Sequence, residues 1–236
     1  MLLQALLVGA GLLALPALLV ELAKGYVNDS TRVALFSLVP VLAVVFEPYL
    51  ASHLHSPQRG SLAAALAAIA GTLLIFPAEL PRNPASAIAC CGVMAAVISI
   101  AGANCLAVRI AQDPPTVSLS CFAALATSSG AVLLAFVGLL IEPRPRIAAD
   151  IDAWAVPDLI ALAILFRLMR SMSAVRMTTR FLIAPLIANL IALAFLRPGV
   201  QTRAWLGLFL IAGGSAWLLF APGSRLQDSE LKLDLT

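Results

Sequence analysis

RVALFSLVPVLAVVFEPYL, residues 32–50, set beside MTTRFLIAPLIANLIALAFLRP, residues 177–198, decides how this chain is read. Aligned on Pro40 and Pro185, which stand 145 residues apart, both are long apolar runs with a proline near the middle. Both end in a short polar link. Proline removes a backbone donor and crowds the preceding turn, so it is a poor choice for the interior of a water-soluble core helix. A membrane helix tolerates it, because neighbouring helices or waters satisfy the freed carbonyl and the kink can be useful. The stretch therefore points to lipid as the solvent.

Composition agrees. Hydrophobic residues make up 61% of the 236 residues and charged residues 11%, with a mean hydropathy of +1.00. A soluble domain carries roughly a quarter of its residues as charges, so this chain lacks the polar residues to coat a globule in water. A net charge of +3 with no basic run of five or more excludes nucleic acid as a partner. The four cysteines, Cys90, Cys91, Cys105 and Cys121, fall in apolar runs without the spacing of a zinc site and read as small packing residues.

About 20 apolar residues cross a hydrocarbon core, and eight segments are candidates: 2–24, 31–51, 61–79, 86–109, 116–141, 155–174, 178–196 and 203–221. Turn and loop residues punctuate the links, as in GYVNDST at 25–31 and ELPRNP at 79–84. The first segment has no basic lead and no small-residue cleavage site, so it reads as a retained helix. The polar stretch after Pro222 reads as a solvated cytoplasmic tail. Cationic residues divide almost evenly between the two sides, so charge leaves the orientation unmarked.

The similarity between the two halves continues past the prolines. QRGSLAAALAAIAGTLLIF at 58–76 lies over QTRAWLGLFLIAGGSAWLLF at 201–220 after a two-residue gap. Gln58 meets Gln201, Ala64 meets Gly207, Gly71 meets Gly214, Thr72 meets Ser215, and Pro77 and Pro222 close the two copies. Segments 1–3 pair with segments 6–8, and segments 4 and 5 have no partner. An offset of five spans is odd, so the copies enter the membrane from opposite sides, as in the inverted repeats of many secondary transporters. The expected fold is all-α and integral to the membrane: eight transmembrane helices forming a three-plus-five inverted repeat. Residues 1–80 are an incomplete first repeat, 81–222 the second, and 223–236 a polar tail.

A mid-helix proline, a polar link with glutamine, then a G…G helix, all occurring twice, resembles the drug/metabolite transporter superfamily, EamA-like branch. The resemblance covers about residues 1–80 and 86–222. It implies a ten-helix carrier of two five-helix repeats that exports amino acids, metabolites or drugs, often with proton coupling. The chain departs from it in lacking the counterparts of the first two helices, through a late start or natural shortening. It also departs in placing Ser52 where the family commonly carries a glutamate.

Ionisable or polar residues deep in a span need a reason. Arg167 is a candidate for binding an anionic substrate group or for snorkelling from a short helix end. Glu47 is a candidate for proton coupling or an interfacial carboxylate. Asn189, four residues past Pro185, offers donor and acceptor to a substrate or to a neighbouring helix. Asn104 and Ser128, within the TSSG run at 127–130, have the same standing. Pro40 and Pro185 are expected to kink their helices, and Gly71, Gly213 and Gly214 to let helices approach closely. Glu21 and Lys24 read as a surface pair, and Asp158 as a helix-start carboxylate. His53 and His55, in a link without a third ligand, do not make a metal site.

No nucleophile elbow, zinc-protease motif or phosphate loop is present in the sequence, and the expectation is a non-enzyme without cofactor or metal. The function expected is a polytopic inner-membrane permease working by alternating access. Its partners are the lipid bilayer and a small-molecule substrate, with a homodimer as the compatible assembly. The competing expectation is a shortened membrane protein that does not transport, such as a partner subunit.

Overall fold

In hydrocarbon each backbone donor and acceptor must be satisfied within the protein, which leaves the helix as the economical answer for an apolar chain. The computed structural model describes residues 2–50, 60–112, 118–141, 155–196 and 202–220, and among them eight helical rods and no strand occur. Helix α1 runs as Leu2–Gly9, a π-helical stretch at Ala10–Ala14, and Leu15–Leu22. Helix α2 is split into Asp29–Phe36 and Val39–Leu50. Then come α3 (Ser61–Ile75), α4 (Pro84–Gln112), α5 (Leu119–Ile141) and α6 (Ala155–Leu168). Helix α7 is again split, into Ala174–Thr178 and Arg180–Leu196, and α8 is Thr202–Phe220.

Six of the eight rods, all but α3 and α6, are long and apolar enough to cross a membrane. The chain is thus built as a helical membrane protein. The two exceptions are shorter than the sequence pattern anticipates. At 1.5 Å per residue, the 15 residues of α3 reach about 22 Å, short of the roughly 30 Å hydrocarbon core. Helix α3 stops at Phe76, whose backbone leaves the helical region (φ −113°, ψ 84°), ahead of Pro77. Helix α6 ends at Leu168, and turns carry the chain through Ser171 to the cap at Ser173.

The two split helices start alike. Asn28 and Ser173, 145 residues apart, cap α2 and α7 with nearly the same backbone: φ −72°, ψ 161° and φ −68°, ψ 159°. Each side chain accepts a hydrogen bond from the backbone N–H three residues on, Thr31 and Arg176 respectively. That satisfies one of the donors a helix start leaves open.

The interruptions that follow are not equivalent. In α2 the break falls at Ser37–Leu38, with Pro40 in the second position of the new helix. Pro40 cannot donate to the Phe36 carbonyl, and the chain re-forms its helix just before the ring. In α7 the interruption does not fall at Pro185. Pro185 lies inside the continuous helix Arg180–Leu196, and the break is six residues earlier, at Thr179. There both the Thr178 and Thr179 hydroxyls donate to the Val175 carbonyl, and the Leu182 N–H closes a tight turn on the Thr179 carbonyl at 2.9 Å. Threonine hydroxyls competing for helical carbonyls bend helices, and here they localise the break.

Packing relies on small residues. Helix α1 lies against α4 and α5. A methyl added at Gly9 would collide with the Ala126 carbonyl, and one at Gly130 would stand 3.1 Å from the Gly9 carbonyl. The most extensive helix pair is α3 with α8. A methyl on Gly71 would come within 2.6 Å of the Gly207 carbonyl, and one on Gly214 within 2.5 Å of the Ala64 carbonyl. Because Gly71 meets Gly207 while Ala64 meets Gly214, the two helices run antiparallel. Gly213 corrects an expectation: a methyl there meets nothing within 4 Å, so it takes no part in the approach. Gly207, aligned with Ala64 in the sequence but not among the glycines expected to pack, does.

Candidate functional site

The centre of interest is the contact between the split helices α2 and α7. Phe36 and Phe181 stack, with ring centroids 6.1 Å apart and planes at 25°. Each stands four residues before its proline, at the position whose carbonyl loses its helical donor. The Arg180 guanidinium lies over the Phe181 ring, 5.0 Å from its centroid, a cation–π distance.

Beyond that stack the two helices meet unequally. Val39–Leu50 packs on Ala174–Thr178, whereas Asp29–Phe36 and Arg180–Leu196 make no comparable packing. Glu47 secures the packed end: its carboxylate accepts the Ala174 N–H at 3.2 Å, at the start of α7 where the helix dipole favours a negative group. The same end gathers further links. Arg109 of α4 donates to the Leu50 carbonyl at 3.3 Å, and the Gln112 amide donates to the Met169 and Met172 carbonyls at 3.2 and 3.0 Å. The ends of α2, α4 and α6 are thereby tied to the start of α7.

At another end of the bundle, where α1 leads to α2 and α3 leads to α4, lies a cavity of about 500 Å³. Tyr26, Asp29, Arg32, Glu79 and Arg82 are among its walls. Thr31, buried at the start of α2, accepts the Glu79 N–H at 3.0 Å and so joins the two links. The charges alternate: Arg32 pairs with Asp29, and Arg82 lies 3.8 Å from Glu79. Glu21 and Lys24 form the expected exposed pair at 3.0 Å.

The four residues nominated from sequence for substrate binding are not drawn together by hydrogen bonds. Asn104 is fully buried and donates to the Ile100 carbonyl of its own helix at 2.8 Å. Asn189 donates to the Pro185 carbonyl at 2.7 Å, and Ser128, exposed, donates to the Leu125 carbonyl at 3.2 Å. Arg167 is exposed in the last turn of α6, the placement of a snorkelling side chain. Asn104 keeps one anomaly: its Oδ1 is buried without a partner. The cysteines are free thiols, with Cys105 buried against the Ala43 carbonyl and Cys91 and Cys121 exposed. No cluster of three or more metal-ligating side chains occurs among the described residues. Ser52, His53 and His55, and the side chain of Asp158, lie outside what the structure describes.

Sequence reasoning missed four features. These are the Phe36–Phe181 stack, Arg180, the π-helical stretch of α1 and the Ser99 hydroxyl that donates to the Gly11 carbonyl there at 2.9 Å. The first was within reach, because the alignment on the prolines already superposes the two phenylalanines. Pro16 was the signal for the third: it removes a donor just past the segment where the helix widens.

No protein-family model and no curated protein matches the sequence. A solved crystal structure of a protein aligns with 94% of this chain and 89% of its own, at a TM-score of 0.68 and 17% identity. At that identity the likeness is one of fold.

Proposed function

We propose that this chain is a secondary carrier of small solutes, built as an inverted repeat and working by alternating access in the cell inner membrane. The observation that carries the reading is the ring contact of Phe36 with Phe181. A residue that touches its own counterpart from the other copy must lie next to a pseudo-two-fold axis. The matched caps at Asn28 and Ser173 support the same relation. So does the reciprocal crossing of α3 and α8, in which Gly71 meets Gly207 and Ala64 meets Gly214. Repeats related by an axis in the membrane plane place the solute near the midplane and exchange their conformations when access alternates.

Under this reading the unequal α2–α7 contact is one of two related states. The Glu47 end is closed, and in the alternate state the repeats trade roles, so that closure passes to the Asp29 end. Glu47 then acts as a latch on the closed side, with proton coupling as its further role. The doubled proline, glutamine and glycine pattern fits the EamA-like branch of the drug/metabolite transporter superfamily. Catalysis is not part of the reading.

Two measurements test it. Single cysteines at Tyr26 and Ser171, equivalent positions in the two copies, should label from opposite sides of the membrane, and labelling from the same side ends the inverted repeat. Reconstituted protein should support solute counterflow across a panel of metabolites, amino acids and drugs. A second reading, a membrane protein that does not transport, is favoured by the separate hydrogen bonding of Asn104, Ser128 and Asn189 within their own helices. Opposite-side labelling with no counterflow of any solute would favour that alternative.

A further inference from the structure

Among the charged groups of the described residues, Arg180 stands apart. Its Nη1 is buried and has no hydrogen-bond partner, and the side chain forms no ion pair or hydrogen bond among the described residues. The other charges near or within the helices have clear arrangements. Arg32 has a buried Nε without a partner but is paired with Asp29, Glu47 accepts the Ala174 N–H, Arg109 donates to Leu50, and Arg167, Arg170 and Arg203 are exposed.

The position is as informative as the missing partner. Arg180 lies six residues into α7, about 9 Å along the helix from Ala174, immediately past the break at Thr179. Its guanidinium is held over Phe181, which stacks on Phe36, so the charge sits beside the contact between the two repeats. Its counterpart 145 residues earlier is Leu35. One cation therefore stands next to the pseudo-axis without an ion-pair partner among the described residues. The residue is partly buried, and a guanidinium nitrogen buried without a hydrogen-bond acceptor is costly; within a membrane span such a group is a sign of function.

We propose that Arg180 is the anchor for an anionic group, a carboxylate or phosphate, on the carried solute. This rests on the carrier reading and adds the charge class of its substrate. A guanidinium offers a planar fork of donors that matches both oxyanions. Phe181 covers one face of that fork, and Nη1, buried without an acceptor, is the donor that a ligand oxygen would satisfy. Because Leu35 replaces a second cation in the other repeat, one residue near the axis serves the anion whichever face is open.

The test is thermal stabilisation of the purified full chain by four probes at equal ionic strength: benzoate, glycerol 3-phosphate, tetraethylammonium and glucose. Wild-type protein should be stabilised by at least one of the two anions and by neither of the others. Arg180→Gln should weaken the anion response about tenfold or more, and Arg180→Lys should recover part of it. Unliganded stability of each variant, measured alongside, separates loss of a ligand from loss of the fold. If Arg180→Gln does not fold, Arg180→Lys decides: retention of the anion response with weakened affinity supports the assignment, and an unaltered affinity overturns it.

An anion response that survives intact in Arg180→Gln overturns the proposal. So does stabilisation of the wild type by the cation or by glucose alone, or indifference to all four probes. None of these results touches the carrier reading, which stands or falls on the labelling of Tyr26 and Ser171 and on counterflow.

Discussion

Phe36 stacks on Phe181 at 6.1 Å between centroids, and each ring precedes by four residues the proline that interrupts its helix's hydrogen bonding. The contact joins two positions that the sequence alignment sets opposite each other, and it lies where the two split helices α2 and α7 meet. Aromatic stacking of this kind contributes about 0.5–1.5 kcal/mol beyond buried area.

A double-mutant cycle tests whether that stack is an energetic unit. Phe36→Leu and Phe181→Leu should each destabilise the protein, and the double substitution should cost less than their sum by about 0.5–1.5 kcal/mol. The measurement is reversible unfolding in mixed micelles. Strict additivity would mean that the rings touch without holding the helices together.

The crossing of α3 and α8 yields a sharper contrast, because neighbouring glycines differ. Gly71→Ala, Gly207→Ala and Gly214→Ala each drive a methyl within 2.5–2.7 Å of the facing helix, where overpacking costs about 1–3 kcal/mol. For Gly71 and Gly214 the obstacle is a backbone carbonyl, which cannot rotate away. For Gly207 the nearest atom is Cγ1 of Ile75 at 2.7 Å, with the Gly71 carbonyl at 2.8 Å. Gly213→Ala meets open space and should leave the melting temperature unchanged, or raise it slightly through the better helix propensity of alanine. Equal melting temperatures for Gly71→Ala and Gly213→Ala would contradict the packing described.

These residues also mark how far the sequence could be read. Eight apolar segments and most of their bounds were legible, because lipid demands long uninterrupted runs and marks their ends with Pro, Gly and charge. The ends of α3 and α6 were not. Apolar residues continue past Ile75 into Phe76, and nothing local distinguishes a helical turn from the turns after Leu168. The prolines suggested a repeat and two kinks, but they held no sign of the break at Thr179 in α7, where two threonine hydroxyls share one carbonyl. Gly213 and Gly214 are indistinguishable in sequence, and only the rotation of α8 against α3 selects one. The unpartnered Nη1 of Arg180 was not legible either, because whether an acceptor stands beside a guanidinium is a property of packing.

The hydrogen bond from the Ala174 N–H to Glu47 makes a conformational prediction. Glu47→Ala removes the acceptor for the Ala174 N–H and the negative group at the start of α7, an interaction of about 1–2 kcal/mol in a partly buried setting. That is a factor of roughly 5–30 in an equilibrium between two states. A cysteine at Ala174, buried in the wild type, should therefore react with a water-soluble thiol reagent several-fold faster in the Glu47→Ala background. Glu47→Gln should fall between the two, since the carboxamide oxygen still accepts a hydrogen bond but carries no charge. Unaltered reactivity in both variants would show that the packed end is held by Val39–Leu50 against Ala174–Thr178 alone.

Asn104 offers the complementary case, a polar group whose removal should be painless. Its Nδ2 is satisfied by the Ile100 carbonyl at 2.8 Å, while Oδ1 is buried without a partner. A buried unsatisfied acceptor costs about 1–3 kcal/mol, and leucine has similar length and no such need. Asn104→Leu should therefore be neutral or stabilising by up to about 1 kcal/mol in thermal unfolding of the solute-free protein. If the same variant loses counterflow while keeping that stability, Oδ1 is an acceptor for the carried solute and the sequence-based nomination of Asn104 gains its role. A destabilisation above 2 kcal/mol would mean instead that Oδ1 has a structural partner, such as an internal water, which the helices are built around.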